Sequence, residues 1–234
     1  MNVCIIPARG GSKRIPRKNI KLFHGKPMIA WSIETAIKSG CFDRIICSTD
    51  DEEIAAVARK YGAYTPFLRP KELSNDYVGT TSVIAHAIDY LQKKSIMPDL
   101  VCCVYATAPF MLPNDIKKSL ELIKREESDY CFSVTSYPFP IQRSIRITKE
   151  RRCDIFQPEM FNKRSQDLED AYHDAGQFYW GRPFAWSERK VIFSKDSTPY
   201  ILPRYRVQDI DTLEDWSMAE LMFHSLKEKK EYND

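Results

Sequence analysis

The chain has 234 residues, 35 Lys+Arg against 32 Asp+Glu, a formal charge of +3 and 43% hydrophobic residues. These proportions exclude a disordered or fibrous chain, and a domain of this length buries about 70% of its unfolded surface without needing staples. The small net charge conceals an asymmetry: no acid precedes Glu34, so the first 33 residues carry +7, from Arg9, Lys13, Arg14, Arg17, Lys18, Lys21 and Lys26, on a body of −4. In chain order, the apolar run Asn2–Ile6, stopped by Pro7, predicts a buried strand. Pro27 sits at a helix start, and Met28, Ile29, Ile33, Ala36 and Ile37 recur at helical spacing up to Gly40. Arg44–Ser48 is a second strand. Thr49-Asp50-Asp51-Glu52-Glu53 then suits a helix N-terminus, where carboxylates meet the positive dipole end, and that helix runs to Tyr61-Gly62. Val83, Ile84, Ala87, Ile88 and Leu91 line one face of a helix over Thr80–Lys94. Leu100–Tyr105 is a third strand, Pro113 opens a helix through Glu126, and Tyr130–Val134 is a further strand. Strands are also predicted at Gln177–Trp180 and Tyr200–Leu202, before a closing amphipathic helix over Thr212–Leu226.

Strand and helix alternate over residues 2–136 at the pitch of right-handed β-α-β units, which predicts an α/β fold with a doubly wound, mainly parallel sheet. Residues 137–170 break the rhythm with Pro138, Pro140, Pro158 and seven Lys/Arg. They read as an inserted arm on a single domain spanning 1–234.

The start of the chain lacks the pattern of a signal peptide, and no apolar run approaches the ~20 residues that span a bilayer. The seven cysteines are odd in number, irregular in spacing and mostly set in apolar runs, and they form no C-x-x-C. A cytoplasmic protein with reduced cysteines packed as small hydrophobes is the expectation, without membrane partners.

The segment Ala8-Arg9-Gly10-Gly11-Ser12-Lys13-Arg14-Ile15-Pro16-Arg17-Lys18-Asn19 follows the first strand directly. In doubly wound sheets ligands bind beyond the carboxyl ends of strands, which puts this loop where a nucleotide sits. Two glycines let backbone N–H groups approach phosphate oxygens, and Arg9, Lys13 and Lys18 or Lys21 can neutralise them. Neither G-x-x-x-x-G-K-[ST] nor G-x-G-x-x-G is present, which argues against P-loop NTPases and dinucleotide-dependent dehydrogenases. Nucleic-acid binding would call for basic and aromatic residues interleaved on an open surface. Here the cations flank a Gly-Gly turn on an acidic body, so no nucleic-acid partner is expected.

In Val207-Gln208-Asp209-Ile210-Asp211-Thr212, an extended Asp-x-Asp points both carboxylates to one face. That arrangement suits a cation, and Mg²⁺ favours a few carboxylates plus substrate phosphates. The spacing equally allows Asp211 or Thr212 to cap the final helix. Beside a phosphate loop, the pair points toward metal-assisted phosphoryl or nucleotidyl transfer.

Ala8-Arg9-x-x-Ser12-Lys13 with Pro16-x-Lys18-Asn19, then Ser48-Thr49-Asp50, Leu68-Arg69-Pro70-x-x-Leu73 and Asp209-Ile210-Asp211-Thr212 resemble, in order, the motifs of the acylneuraminate cytidylyltransferase family. The Tyr105-Ala106-Thr107-Ala108-Pro109 loop, the block from His173 to Trp180 and the run from Asp209 to Trp216 resemble its bacterial branch acting on pseudaminic acid. The resemblance implies a Rossmann-like nucleotidyltransferase. In it the anomeric hydroxyl of a nine-carbon 2-keto sugar acid attacks the α-phosphate of CTP, releasing pyrophosphate. It implies catalytic roles for Arg9, Lys13 and Asp211, and Mg²⁺ on Asp209 and Asp211. It places CTP against Ala8, Arg9, Gly10, Gly11, Ser12, Lys13, Asn19, Lys21, Arg69, Thr81, Ser82 and Ala106. Sialate synthetases carry Gln-Pro-Thr-Ser-Pro at the 106–109 loop, so the sugar environment here is expected to be less polar, with Gln177 supplying an amide. The family is dimeric, which implies a homodimer whose 137–170 arm reaches the partner's sugar pocket with Arg143, Lys163 or Arg164.

Overall fold

The computed structural model describes residues 1–228. Strand β1 (Asn2–Pro7) leads through the basic loop to a short hairpin, β2 (Leu22–Phe23) and β3 (Lys26–Pro27), which the sequence pattern does not reveal. Its turn is made by His24 and Gly25, both at positive φ (45° and 87°), a conformation glycine adopts at no steric cost. There follow α1 (Met28–Ser39), β4 (Arg44–Ser48), α2 (Glu52–Lys60), α3 (Thr80–Lys93), β5 (Leu100–Val104), α4 (Pro113–Arg125) and β6 (Tyr130–Ser136). A small antiparallel hairpin, β7 (Ile145–Ile147) with β8 (Cys153–Ile155), stands apart from the main sheet. The chain returns through β9 (Tyr172–Gly181), α5 (Pro183–Ser187), β10 (Ser197–Ile201) and α6 (Leu213–Glu228).

The six-stranded sheet has the order β10-β6-β9-β5-β1-β4, and every strand but β9 runs in the same direction. The fold is therefore the expected α/β type with a mainly parallel sheet. The strand expected at Gln177–Trp180 is longer, ten residues, and antiparallel to both neighbours. The reason is its connection: an antiparallel neighbour needs only a return of the chain, whereas a parallel one needs a crossover. Ser133 sits at the register break between β6 and β9, where its Oγ accepts from Gln177 N and Phe178 N at 3.3 and 3.2 Å.

Alternation along the strands sends side chains to two cores. Cys4, Ile6, Cys102, Val104, Phe178 and Trp180 meet α1, α2 and α4 on one face. Val3, Ile5, Val101, Cys103 and Tyr179 meet α3 and α5 on the other. Five of the seven cysteines are buried, none is in a disulfide, and burial pushes the thiols of Cys47 and Cys131 up to about 12, so they pack as neutral hydrophobes. A third cluster joins Phe23, Met28 and Trp31 to Ile210, Trp216, Ala219 and Phe223. Its edge-on pairs, Phe23 with Trp216 at 5.5 Å and with Phe223 at 5.2 Å, dock α6 against the start of the chain. No residue of 137–171 is buried. Among the described residues no helix is long and apolar enough to cross a membrane.

One buried ion pair ties the far end of the sheet together. Arg206 gives Asp115 a two-pronged contact, Nη1 to Oδ2 at 2.5 Å and Nη2 to Oδ1 at 3.1 Å, with both side chains over nine-tenths buried. Asp115 also closes the first turn of α4, accepting from Leu112 N at 3.1 Å. Removing one member of such a pair leaves a charge in a dry site. Asp115→Ala is therefore expected to cost about 3–5 kcal/mol of stability in urea unfolding, far more than a surface ion pair. A loss under about 1 kcal/mol would show that water reaches the pair.

Candidate functional site

Chain order reverses at β1: β4 follows on one side and β5 on the other, and the crevice beyond their carboxyl ends is where open α/β sheets bind ligands. A cavity of about 590 Å³ lies there. Pro7 ends β1 at its edge, the first turn of α3 gives Thr80 and Val83, and the loop after β5 gives Tyr105, Ala106 and Thr107. Arg9, Ser12, Lys13, Arg14, Lys18 and Asn19 make the basic wall.

The basic loop is held from beneath by the β4–α2 turn. Ala8 is buried and its N–H donates to Ser48 O at 2.9 Å. Gly10 N donates to Asp50 Oδ1 at 3.0 Å, and a Cβ at Gly10 would lie 2.7 Å from Asp51 Oδ2. The expectation that both glycines offer N–H groups to phosphate is thus corrected at Gly10, which is glycine because a carboxylate packs against its Cα. Gly11 has open space around it. Asn19 is buried and donates from Nδ2 to Arg9 O at 3.0 Å, so it shapes the loop as well as lining the cavity. Arg17 turns away from the cavity to Asp51 Oδ2 (2.5 Å) and Glu53 Oε2 (2.5 Å).

The Asp-x-Asp segment arrives on the same wall because the third cluster docks α6 there. The alternatives left by its spacing are resolved by Thr212. Thr212 Oγ1 accepts from Asp215 N at 3.2 Å while Thr212 N donates to Asp215 Oδ2 at 2.7 Å, a reciprocal cap on α6. Asp211 gives only its N–H to Asp215 Oδ2, at 3.1 Å, so its carboxylate is left out of the cap and lines the cavity, paired with Arg14 Nη2 at 2.7 Å and Lys18 Nζ at 3.2 Å. Asp209 is off the cavity wall, and partial desolvation of its carboxyl, with the Asp211 charge second, raises its pKa. Among the described residues no three His, Cys, Asp or Glu could hold a metal ion together. A Mg²⁺ that keeps waters and phosphate oxygens needs only one or two carboxylates, and two that repel one another have the donor chemistry for it.

Arg69, which also lines the cavity, is 5% exposed, its Nε donating to Ser74 Oγ at 3.1 Å and its Nη2 lying 3.8 Å from Asp50 Oδ1. Its Nη1 has no hydrogen-bond partner, and burial pulls the guanidinium pKa down. A buried donor without an acceptor on a cavity wall is a place for a ligand oxygen. Behind it, Tyr105 OH lies 3.2 Å from Thr80 Oγ1, and Tyr179 donates to Asp174 Oδ2 at 2.5 Å.

Other expected site residues lie elsewhere. Thr81 and Ser82 are off the wall because residues three apart share a helix face, and here that face carries Thr80 and Val83. Lys21 Nζ sits over the Trp216 ring, 4.3 Å from its centroid. Gln177 is buried with Nε2 on Arg206 O at 2.6 Å, so its amide supports the sheet edge. Arg143 donates to Ser165 Oγ and the Lys163 carbonyl, and Arg164 pairs with Asp167 at 2.8 Å, all within the arm. Asp76, in contrast, escapes sequence reasoning. It lies in an irregular loop, yet pairs with Arg9 and Lys13 at 2.6 Å each, and no periodicity or motif spacing announces it.

The cytidylyltransferase family model matches residues 3–228. A pseudaminic acid cytidylyltransferase of Campylobacter jejuni subsp. jejuni (strain 81-176) is 49% identical over 95% of this chain and 96% of its own. A CMP-N,N'-diacetyllegionaminic acid synthase of Legionella pneumophila is 34% identical over 93% of this chain and 94% of its own. A CMP:2-keto-3-deoxy-manno-octonic acid synthetase, solved with CTP, superposes with a TM-score of 0.69 over 96% of this chain and 98% of its own at 16% identity, a likeness of fold.

Arg17 lowers the pKa of the Asp51 carboxyl from 3.8 to about 2, and the carboxylate also caps α2 through Ile54 N at 3.0 Å. A depressed carboxyl stabilises the fold above its unfolded value and loses that contribution as pH falls through the folded one. Discounted for the partial exposure of Arg17, this amounts to about 1–2 kcal/mol. Asp51→Asn is expected to be less stable than the parent by that amount at pH 7. Urea midpoints taken from pH 7 down to pH 2 should converge as the acid end is reached, and a constant gap would remove Asp51 ionisation as the cause.

Proposed function

The chain belongs to the cytidylyltransferase family, and from that premise we propose that it transfers CMP from CTP to the anomeric hydroxyl of pseudaminic acid, releasing pyrophosphate. One observation carries the reading at the level of the site: Arg9, Lys13, Arg14, Lys18 and Arg69 converge with Asp211 on one cavity. A volume of about 590 Å³ falls in the range of about 300–1,000 Å³ typical of small-molecule sites. The sugar is inferred from the 49% identical relative, which matches nearly end to end.

In this reading Arg9 and Lys13 hold the triphosphate, and Ser12, Arg14 and Lys18 stand within the same wall to receive charge as it shifts to the departing pyrophosphate. Charge-assisted N–H donors to phosphate are roughly twice as strong as neutral ones. Arg69 Nη1, Thr80 and the Tyr105–Thr107 loop form the nucleoside side. Asp209 and Asp211 would hold a Mg²⁺, which supplies neutralisation of phosphate charge beside the attacking hydroxyl. Positioning two reactants and stabilising phosphate charge suffices for such a transfer, so no covalent intermediate on Ser or Cys is needed. The buried, high-pKa cysteines agree with that.

The 137–170 arm is read as the dimer contact, bringing Arg143 and Arg164 to the sugar carboxylate of the partner's site. Phe139 (78% exposed), Ile147 (76%) and Phe161 (65%) are large apolar side chains that the arm leaves uncovered.

Pyrophosphate release with CTP, Mg²⁺ and pseudaminic, legionaminic or N-acetylneuraminic acid tests the reading. Turnover is expected with pseudaminic acid. Turnover only with another of the three would reassign the sugar, and none with any would reject the activity. Asp211→Asn should keep the far-UV circular dichroism and lose on the order of 100-fold in kcat/KM. An unchanged rate would remove Asp211 from the site.

A further inference from the structure

The two cations assigned to the triphosphate are already bound to an anion of the chain itself. Asp76 places Oδ1 on Arg9 Nη1 and Oδ2 on Lys13 Nζ, each at 2.6 Å. One carboxylate thus spans both donors with separate oxygens, as two oxygens of a phosphate would. Asp76 belongs to the exposed loop between Leu73 and α3, where Asn75, Tyr77 and Gly79 are also exposed, Tyr77 at 96%. The loop is anchored upstream by Ser74 Oγ on Pro70 O at 2.9 Å and internally by Tyr77 N on Asn75 Oδ1 at 2.9 Å. Its ties to the basic wall are the two ion pairs of Asp76.

Those pairs and an incoming triphosphate use the same donors. A ligand that binds Arg9 and Lys13 must displace the carboxylate, and whatever affinity the pairs provide is subtracted from that of the ligand. The pairs are exposed, at 37% for both Arg9 and Asp76 and 80% for Lys13, so the exchange is shallow enough to proceed in either direction.

We propose that Asp76 is a resident anion that occupies the triphosphate donors Arg9 and Lys13 in the empty enzyme, sets the affinity of the site for polyphosphate by competing for them, and frees the 74–79 loop when it is displaced. Its return to the same donors favours departure of the pyrophosphate product. The inference rests on the assignment of this cavity to CTP.

Isothermal titration of the parent and of Asp76→Asn with CTP, inorganic pyrophosphate and cytidine tests it. The variant is expected to bind CTP and pyrophosphate about three- to tenfold more tightly, while cytidine, which carries no phosphate, binds both proteins equally. Pyrophosphate affinity that is unchanged or weaker in the variant would overturn the proposal, weaker binding meaning that Asp76 orients the two cations instead. Equal tightening of cytidine would also overturn it, since the effect would then be unrelated to phosphate. In the parent, hydrogen exchange of the 74–79 amides should quicken when pyrophosphate is added, and exchange that slows or stays constant would reject release of the loop. A parent that binds neither CTP nor pyrophosphate would instead overturn the assignment of the cavity, a different failure from that of the exchange.

Discussion

Seven cations in the first 33 residues, with no acid among them, are a burden that the rest of the chain has to neutralise. Each finds its partner at a distant or a local site. Arg17 goes to Asp51 and Glu53, Arg9 and Lys13 to Asp76, Arg14 and Lys18 to Asp211, Lys26 to Glu34, and Lys21 to the face of Trp216. Three of these connections reach different segments: the start of α2, the loop before α3 and the approach to α6. Mutual repulsion within the basic loop is thereby turned into attraction for three separate parts of the chain, of which the approach to α6 is also docked by the third apolar cluster. The apolar clusters supply most of the stabilisation, as burial generally does, and the charges fasten these segments to the basic loop.

That division also explains which features could be read in advance. β1, α1, β4, α3, β5, α4 and β6 each carry a continuous apolar run or a helical stripe, and burial against a sheet imposes such periods on sequence. Thr212 caps α6 in one of the two ways its spacing allowed, because a capping pair is local. Asp76 left no such trace. Its pairing with Arg9 and Lys13 spans more than 60 residues and depends on where an irregular loop comes to rest. The reason for Gly10 was equally hidden, since it lies in Asp51, forty-one residues on. Gln177 was legible as a strand residue but not as a buried one, because β9 is covered on both sides and alternation disappears there.

The glycine turn therefore has a different physical meaning from the one its composition suggests. A loop whose N–H groups all faced outward would be a bare anion nest, open to any phosphate. Here Gly10 gives its N–H to Asp50 and its Cα to Asp51, which makes the loop a rigid shelf, and the side chains of Arg9, Ser12 and Lys13 project from it into the cavity. Rigidity of this kind lowers the reorganisation needed when charge shifts between phosphates, because the donors are held by the β4–α2 turn and not by the ligand.

A wall whose four cations, Arg9, Lys13, Arg14 and Lys18, share two carboxylates keeps an excess of positive charge before any ligand arrives, and this bears on what it can accept. A bare triphosphate would leave Asp76 and Asp211 displaced and unmatched beside new negative charge, which Coulomb repulsion at such separations disfavours. In the proposed reading the nucleotide comes with a divalent cation, and the mismatch disappears. Asp211 would exchange Arg14 and Lys18 for the cation, those two side chains would turn to phosphate oxygens, and Asp76 would swing outward into water, where a lone carboxylate is well solvated. The count of charges inside the cavity then changes little between the empty and the loaded state.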